Sequence, residues 1–161
     1  MFPKNHYLHK PKRICSNTYF INKGLARIYY KKGDKEITDN FSAENEWITS
    51  IYSFLQNIPD HFHIQTLEET ELVKISLTDL EECFKDFPEM ERFGRMLISK
   101  FFLEQSERII SLQFNSAKER YQFFEQTSKN KLLRVPLGML ASHLGMTQET
   151  LSRVRSTKGI F

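Results

Sequence analysis

Residues 135–155, VPLGMLASHLGMTQETLSRVR, decide how the rest of the chain is read. Pro136 suits the first turn of a helix, where the N–H it lacks is not needed. Met139, Leu140 and Leu144 follow at helical spacing and give that helix an apolar stripe. Gly145 comes at its end, where a left-handed residue is wanted. Thr147 is an N-cap candidate for a second helix, with Glu149 and Thr150 in its first turn and Leu151 and Val154 on its inward face. Helix, tight glycine turn and helix is the helix-turn-helix pattern. There the second helix enters the major groove of double-stranded DNA, and its N-terminal residues meet base edges. Here those residues are Thr147, Gln148, Glu149, Ser152 and Arg153. Gln can pair with adenine, Glu can accept from cytosine N4, and Arg can take guanine O6 and N7. Arg155 and Lys158 better suit phosphates, which give affinity without sequence information. A helical hairpin that packs and reads nothing has the same apolar pattern, so charge must separate the two.

The chain of 161 residues has a formal net charge of only +3, unevenly spread. Residues 129–161 carry Lys129, Lys131, Arg134, Arg153, Arg155 and Lys158 against Glu149 alone, a net of +5, whereas residues 1–128 are net −2. A basic excess confined to the piece with the motif points to a nucleic-acid partner. With 40% hydrophobic and 27% charged residues, the composition is globular and argues against disorder and fibrous repeats. No apolar run approaches a membrane span, and the basic N-terminus lacks the apolar stretch of a signal peptide, so a cytoplasmic protein with no membrane partner is expected.

Working outward, the first half reads as β. Asn17–Asn22, Leu25–Tyr30 and Glu36–Phe41 are strand-like, with Lys32-Gly33-Asp34 as a hairpin loop. Trp47–Leu55 is a short helix or a buried strand, which periodicity alone does not decide. Phe62–Thr66 and Thr70–Ser76 alternate, and short strands with tight turns suggest a small barrel or sandwich. Ser76 can cap a short helix that ends near Pro88. A long helix from about Pro88 to Leu112 carries two seams: Met96, Ser99, Leu103, Ser106 and Ile110 at coiled-coil spacing, and Phe93, Leu97 and Phe101 on another face. Two apolar faces imply two neighbours, the chain's own barrel and a second copy of the chain. Ser116 and Glu119 form a capping box that opens a helix through about Gln126, and Thr127–Lys131 reads as loop.

At this point the chain resembles the Crp/Fnr transcription regulators, in the shortened form common among Bacteroidetes. Thr147–Arg153 is similar to their recognition helix, in which a Glu and an Arg four residues later read bases; Glu149 and Arg153 fall on that pair, and Gln148 stands where a base-reading Arg can occur. Tyr19–Gly24 resembles the strand and turn before the first barrel hairpin, and Thr70–Ser76 the last barrel strand. The resemblance implies an α+β fold. Residues 1–113 would be a β-roll (a cyclic-nucleotide-binding-like jelly roll) with a long dimer helix, and residues 114–161 a helix-turn-helix bundle. It implies a homodimer on a pseudo-palindromic site, with RNA polymerase as a candidate further partner. The chain departs from the pattern at both ends: it begins almost directly at a strand, and it stops eight residues after Arg153, short of the β-hairpin wing.

The family's nucleotide cassette has Gly-Glu and, about ten residues on, an Arg followed by Ser or Thr, where the Arg fork neutralises a cyclic phosphate and the Glu holds the ribose. Here the matching places hold Asn45-Glu46 and Asp60-His61, and no Arg or Lys occurs between Lys35 and Lys74. The pocket therefore reads as degenerate and unable to bind cyclic AMP, and no effector can be named. Gln105 and Ser106 align where the long helix could touch a base. Two cysteines, Cys15 and Cys83, cannot supply an iron–sulfur cluster within one subunit. His6, His9, His61, His63 and His143 offer a haem no evident axial ligand, and His143 is expected on the surface or facing phosphate. The competing reading is a sensor or metal-binding cupin-like barrel without DNA binding. His61-Phe62-His63 with Glu68 has the spacing of part of a metal motif, without its flanking glycines or a second His-bearing motif. No nucleophile motif is present, so no catalytic residue, metal or cofactor is assigned.

Overall fold

The computed structural model describes residues 1–156, so Lys158 lies outside the described residues. Its strands are β1 (Tyr7–His9), β2 (Asn17–Lys23), β3 (Ala26–Lys32), β4 (Lys35–Ser42), β5 (Trp47–Ile48), β6 (Phe62–Thr66) and β7 (Glu71–Ser76). They pair antiparallel into a larger sheet of order β1-β6-β3-β4 and a smaller one of order β5-β2-β7. Alternation sets the inner faces: Tyr19, Ile21 and Ile48 of the smaller sheet join Ala26, Ile28 and Ile64 of the larger in one apolar cluster with Cys15.

The helices are α1 (Ile51–Gln56), α2 (Leu77–Asp86), α3 (Pro88–Phe114), α4 (Ala117–Thr127), α5 (Lys129–Leu132), α6 (Leu137–His143) and α7 (Gln148–Ser156). Trp47–Leu55 is both things at once, β5 followed by α1. The capping boxes form as read: Ser76 with Asp79 opens α2, and Ser116 with Glu119 opens α4. Two elements escaped the sequence. β1 has only three residues and is held by pairing with β6. The loop expected over Thr127–Lys131 contains α5, a single turn whose Lys131 is pinned to the roll.

α3 is 27 residues long, about 40 Å at 1.5 Å per residue, and none of its side chains is buried. The Phe84 ring lies against Gly94 on its flank, where a Cβ would stand 2.6 Å from that ring. Met96, Leu103 and Ile110 of the expected dimer seam are all exposed, as are Ile98, Phe102 and Ile109 beside them.

Helices α4 to α7, the head, share a core with the roll. Leu25, Phe41, Ala43 and Leu67 of the roll cluster with Tyr121, Phe124, Val135, Leu140, Ala141, Leu144 and Leu151 of the head. The apolar core thus continues across residue 114. Phe41→Ala should cost about 3–5 kcal/mol as a buried aromatic truncation. Because its cluster spans both parts, roll and head should melt in one calorimetric transition, and a head melting on its own in the parent protein would contradict a shared core.

Candidate functional site

Gly145 has φ +64°, the left-handed turn residue between α6 and α7, and a Cβ there would also meet Leu112 Cδ2 of α3 at 2.7 Å. α7 then starts from a hydrogen-bonded cap, the Thr150 N–H donating to Thr147 Oγ1 at 3.2 Å. Leu151 is fully buried and Val154 packs beside it, which turns Thr147, Gln148, Glu149, Ser152, Arg153 and Arg155 outward into solvent. The Thr147 side chain, with Arg153 as a weaker influence, holds the Glu149 carboxyl below its ordinary range, so Glu149 is a carboxylate that can only accept hydrogen bonds. Gln148 is set apart from its neighbours: its carboxamide lies back over Gly138 of α6, where a Cβ would stand 2.7 Å from Nε2.

The other face of the head grips β4, the edge strand of the larger sheet. The Thr38 N–H donates to Ser142 Oγ (3.1 Å), His143 Nδ1 meets the Asp39 carbonyl (2.9 Å), and Lys131 Nζ donates to the Phe41 carbonyl (3.0 Å). From α3, Arg108 adds an ion pair to Asp39 (3.7 Å). His143 is therefore half-buried with its ring turned toward the roll, not open to solvent or to phosphate as the sequence suggested. Its ring lies edge-on to Phe41 and Phe124, and the carbonyl it meets can only accept, so Nδ1 carries the proton. Burial, then the Arg108 charge, lower its pKa to about 3.

Ion pairs extend this grip. Lys131, 8% exposed, sits 2.6 Å from Glu46 Oε2. Arg134 forks to Glu44, at 2.8 and 2.9 Å, and to Glu68. Bonding to Arg134 lowers the Glu44 carboxyl to about 2. Lys131 and Arg134 were counted as part of a basic nucleic-acid face, yet both are turned toward the roll.

Among the described residues, no hydrogen bond or ion pair links the segments aligned with the nucleotide cassette to one another. Glu46 accepts from the Ala43 N–H (3.0 Å) and from Lys131. Asn45, at φ +65°, donates its N–H to the Ile21 carbonyl. Asp60 is buried and serves β1 instead, accepting from the Phe62 N–H (3.0 Å) and pairing with His9 Nε2 (2.9 Å). His61 is exposed, and Gln105 and Ser106 are half-buried on α3. The metal reading dissolves similarly: His63 stacks on Tyr29 at 4.5 Å, Glu68 is held by Arg134, and no cluster of three or more metal-capable side chains occurs among the described residues. No helix among them is long and apolar enough to cross a membrane.

The sequence pattern of the cyclic nucleotide-binding domain family matches residues 1–87. No curated protein matches the chain in sequence. Among solved structures, FixK2 from Bradyrhizobium japonicum superimposes with a TM-score of 0.85 at 17% identity, covering 99% of this chain and 84% of that one. CLP, a c-di-GMP responsive global regulator of Xanthomonas campestris, gives 0.74 at 19% identity, over 98% of this chain and 84% of its own. A protein of Eubacterium rectale assigned to the Crp/Fnr family of transcriptional regulators gives 0.72 at 20%, over 98% and 76%. At such identities the likeness is one of fold.

The His143 environment predicts a pH dependence. Its folded pKa lies below the ordinary 6.5, so below pH 6.5 the unfolded chain binds a proton that the folded one refuses. The stability of the docked head should fall as pH drops from 6.5 toward 3, by at most about 1.4 kcal/mol per pH unit from this group. Denaturant unfolding between pH 7 and 5 should show a shallower loss in His143→Gln than in the parent, and equal slopes would count against the buried neutral imidazole.

Proposed function

The chain belongs to the cyclic nucleotide-binding domain family, and on that premise we propose that it is a DNA-binding transcription regulator of Crp/Fnr type, active as a homodimer on a pseudo-palindromic site. The observation that carries this reading is the outward face of α7. Gln148, Glu149, Ser152, Arg153 and Arg155 are exposed, while Leu151 anchors the helix in the head's core. A packed helix that presents a carboxylate and a guanidinium one turn apart has the acceptor and donor set that reads a C·G pair beside its neighbours. Arg155 faces solvent and suits a phosphate.

The dimer is supported by α3, whose seam of Met96, Leu103 and Ile110 is exposed. Exposed apolar residues at coiled-coil spacing along one 27-residue helix, interrupted by Ser99 and Ser106, are the kind of surface that a second copy covers. Two heads then lie so that their recognition helices meet the groove about 34 Å apart, one turn of DNA.

The effector pocket is read as degenerate. The segment from Glu36 to Val73 offers no Arg or Lys to a cyclic phosphate, and Glu46 is already engaged by Lys131. Cyclic AMP is therefore not the signal, and regulation would act through another ligand or through the protein's abundance.

Selection from random duplex DNA should return a two-fold symmetric site. Arg153→Ala should weaken binding to it by about 1–3 kcal/mol and relax the preference at one base pair in each half-site; unchanged affinity would remove α7 as the reading helix. Leu103→Glu should turn a dimer into a monomer in sedimentation and lower affinity for the full site far more than for a half-site. A dimer that persists in Leu103→Glu would place the subunit contact elsewhere.

A further inference from the structure

The joint between roll and head is slight. α3 ends at Phe114 and α4 begins at Ala117, with Asn115 extended at φ −89° and ψ 143° between them. Such a link keeps the two parts near one another without setting their angle. The shared apolar cluster supplies attraction, which is non-directional. Direction must come from polar contacts of fixed geometry; beside the Ser142 and His143 bonds to β4, the charged ones converge on two cations of the head.

Glu44, Glu46 and Glu68 lie in a segment without a Lys or Arg of its own between Lys35 and Lys74. Their charge is met from the head, Lys131 on Glu46 and Arg134 forked between Glu44 and Glu68. A buried ammonium that also donates to the Phe41 carbonyl cannot swing away without leaving charge unpaired on both sides. A guanidinium held by two carboxylates resists rotation about either bond alone.

We propose that Lys131 and Arg134 are positioning residues for DNA recognition: seated on Glu46, Glu44 and Glu68, they fix the angle at which each head carries α7 and thereby set the half-site spacing that the dimer accepts. The proposal rests on the DNA-binding reading above. Neither cation touches DNA. A head freed of them keeps its reading face and loses its bearing, so selectivity for spacing falls while recognition of one half-site persists.

The test uses the full chain and duplexes carrying either one half-site or two half-sites from the selected sequence, with the spacer lengthened or shortened by one to three base pairs. The parent should prefer its native spacing by about tenfold or more, the order of a mismatched contact. Lys131→Met with Arg134→Met should reduce that preference severalfold and leave half-site affinity within about twofold. Glu44→Gln with Glu68→Gln, which leaves the head's sequence intact, should loosen spacing in the same sense. The idea falls if the head variant keeps the parental preference, or if it loses the preference while the roll variant retains it. If the parent binds no duplex at all, the regulator reading fails instead. A head variant that has lost half-site binding altogether also overturns the proposal, because the cations would then be serving the head's own fold or its grip on DNA.

Discussion

The arrangement of this molecule hangs on one buried cation. Lys131 Nζ stands between the Phe41 carbonyl and the Glu46 carboxylate, and its residue is almost wholly removed from solvent. Taking an ammonium out of water costs several kcal/mol, returned only while both partners stay in place. The same Phe41 whose carbonyl receives the ammonium puts its ring into the cluster shared by roll and head. One residue of β4 thus ties the polar and apolar halves of the contact together, so neither can shift alone. The charge count of the C-terminal piece changes meaning accordingly. Two of its six basic residues pair with carboxylates of the roll, while Lys129, Arg153 and Arg155 are exposed.

Much of the fold was legible because local chemistry and tertiary structure agree. The capping boxes at Ser76 and Ser116, the left-handed Gly145 and the Thr147 cap are readable within four residues of chain, and each forms. What escaped depends on distant partners. α5 has no local signal beyond polarity; it is a turn fastened by Lys131 to a strand 90 residues earlier in the chain. His143, polar on a helix of a supposed DNA-binding unit, reads as a solvent residue until Phe41 and Asp39 are placed beside it. A signal for the docking did exist: a long acidic stretch with no cation, and a short basic one able to serve it. Read alone, each looked like a solvated face.

The roll also illustrates why shared architecture is weak evidence for a shared ligand. Its sheets are held by antiparallel pairing and by the apolar cluster between them, neither of which depends on what the rims carry. The rims have been put to other uses. Glu46 is spent on the head, and Asp60 on fastening β1 through His9. Side chains at the positions aligned with the family's nucleotide cassette here hold the chain's own segments together.

The open edge of β4 has a final consequence. Its main-chain groups at Thr38, Asp39 and Phe41 are satisfied by Ser142, His143 and Lys131, so the head covers backbone that would otherwise be free to pair. Unsatisfied sheet edges recruit other strands, including those of sister molecules. A molecule whose head detaches, by truncation or during synthesis before residue 131 has emerged, exposes an adhesive border. Solubility of the roll is in this sense a service rendered by the C-terminal helices, and fragments ending near residue 114 would be prone to self-association through β4 even with every strand correctly formed.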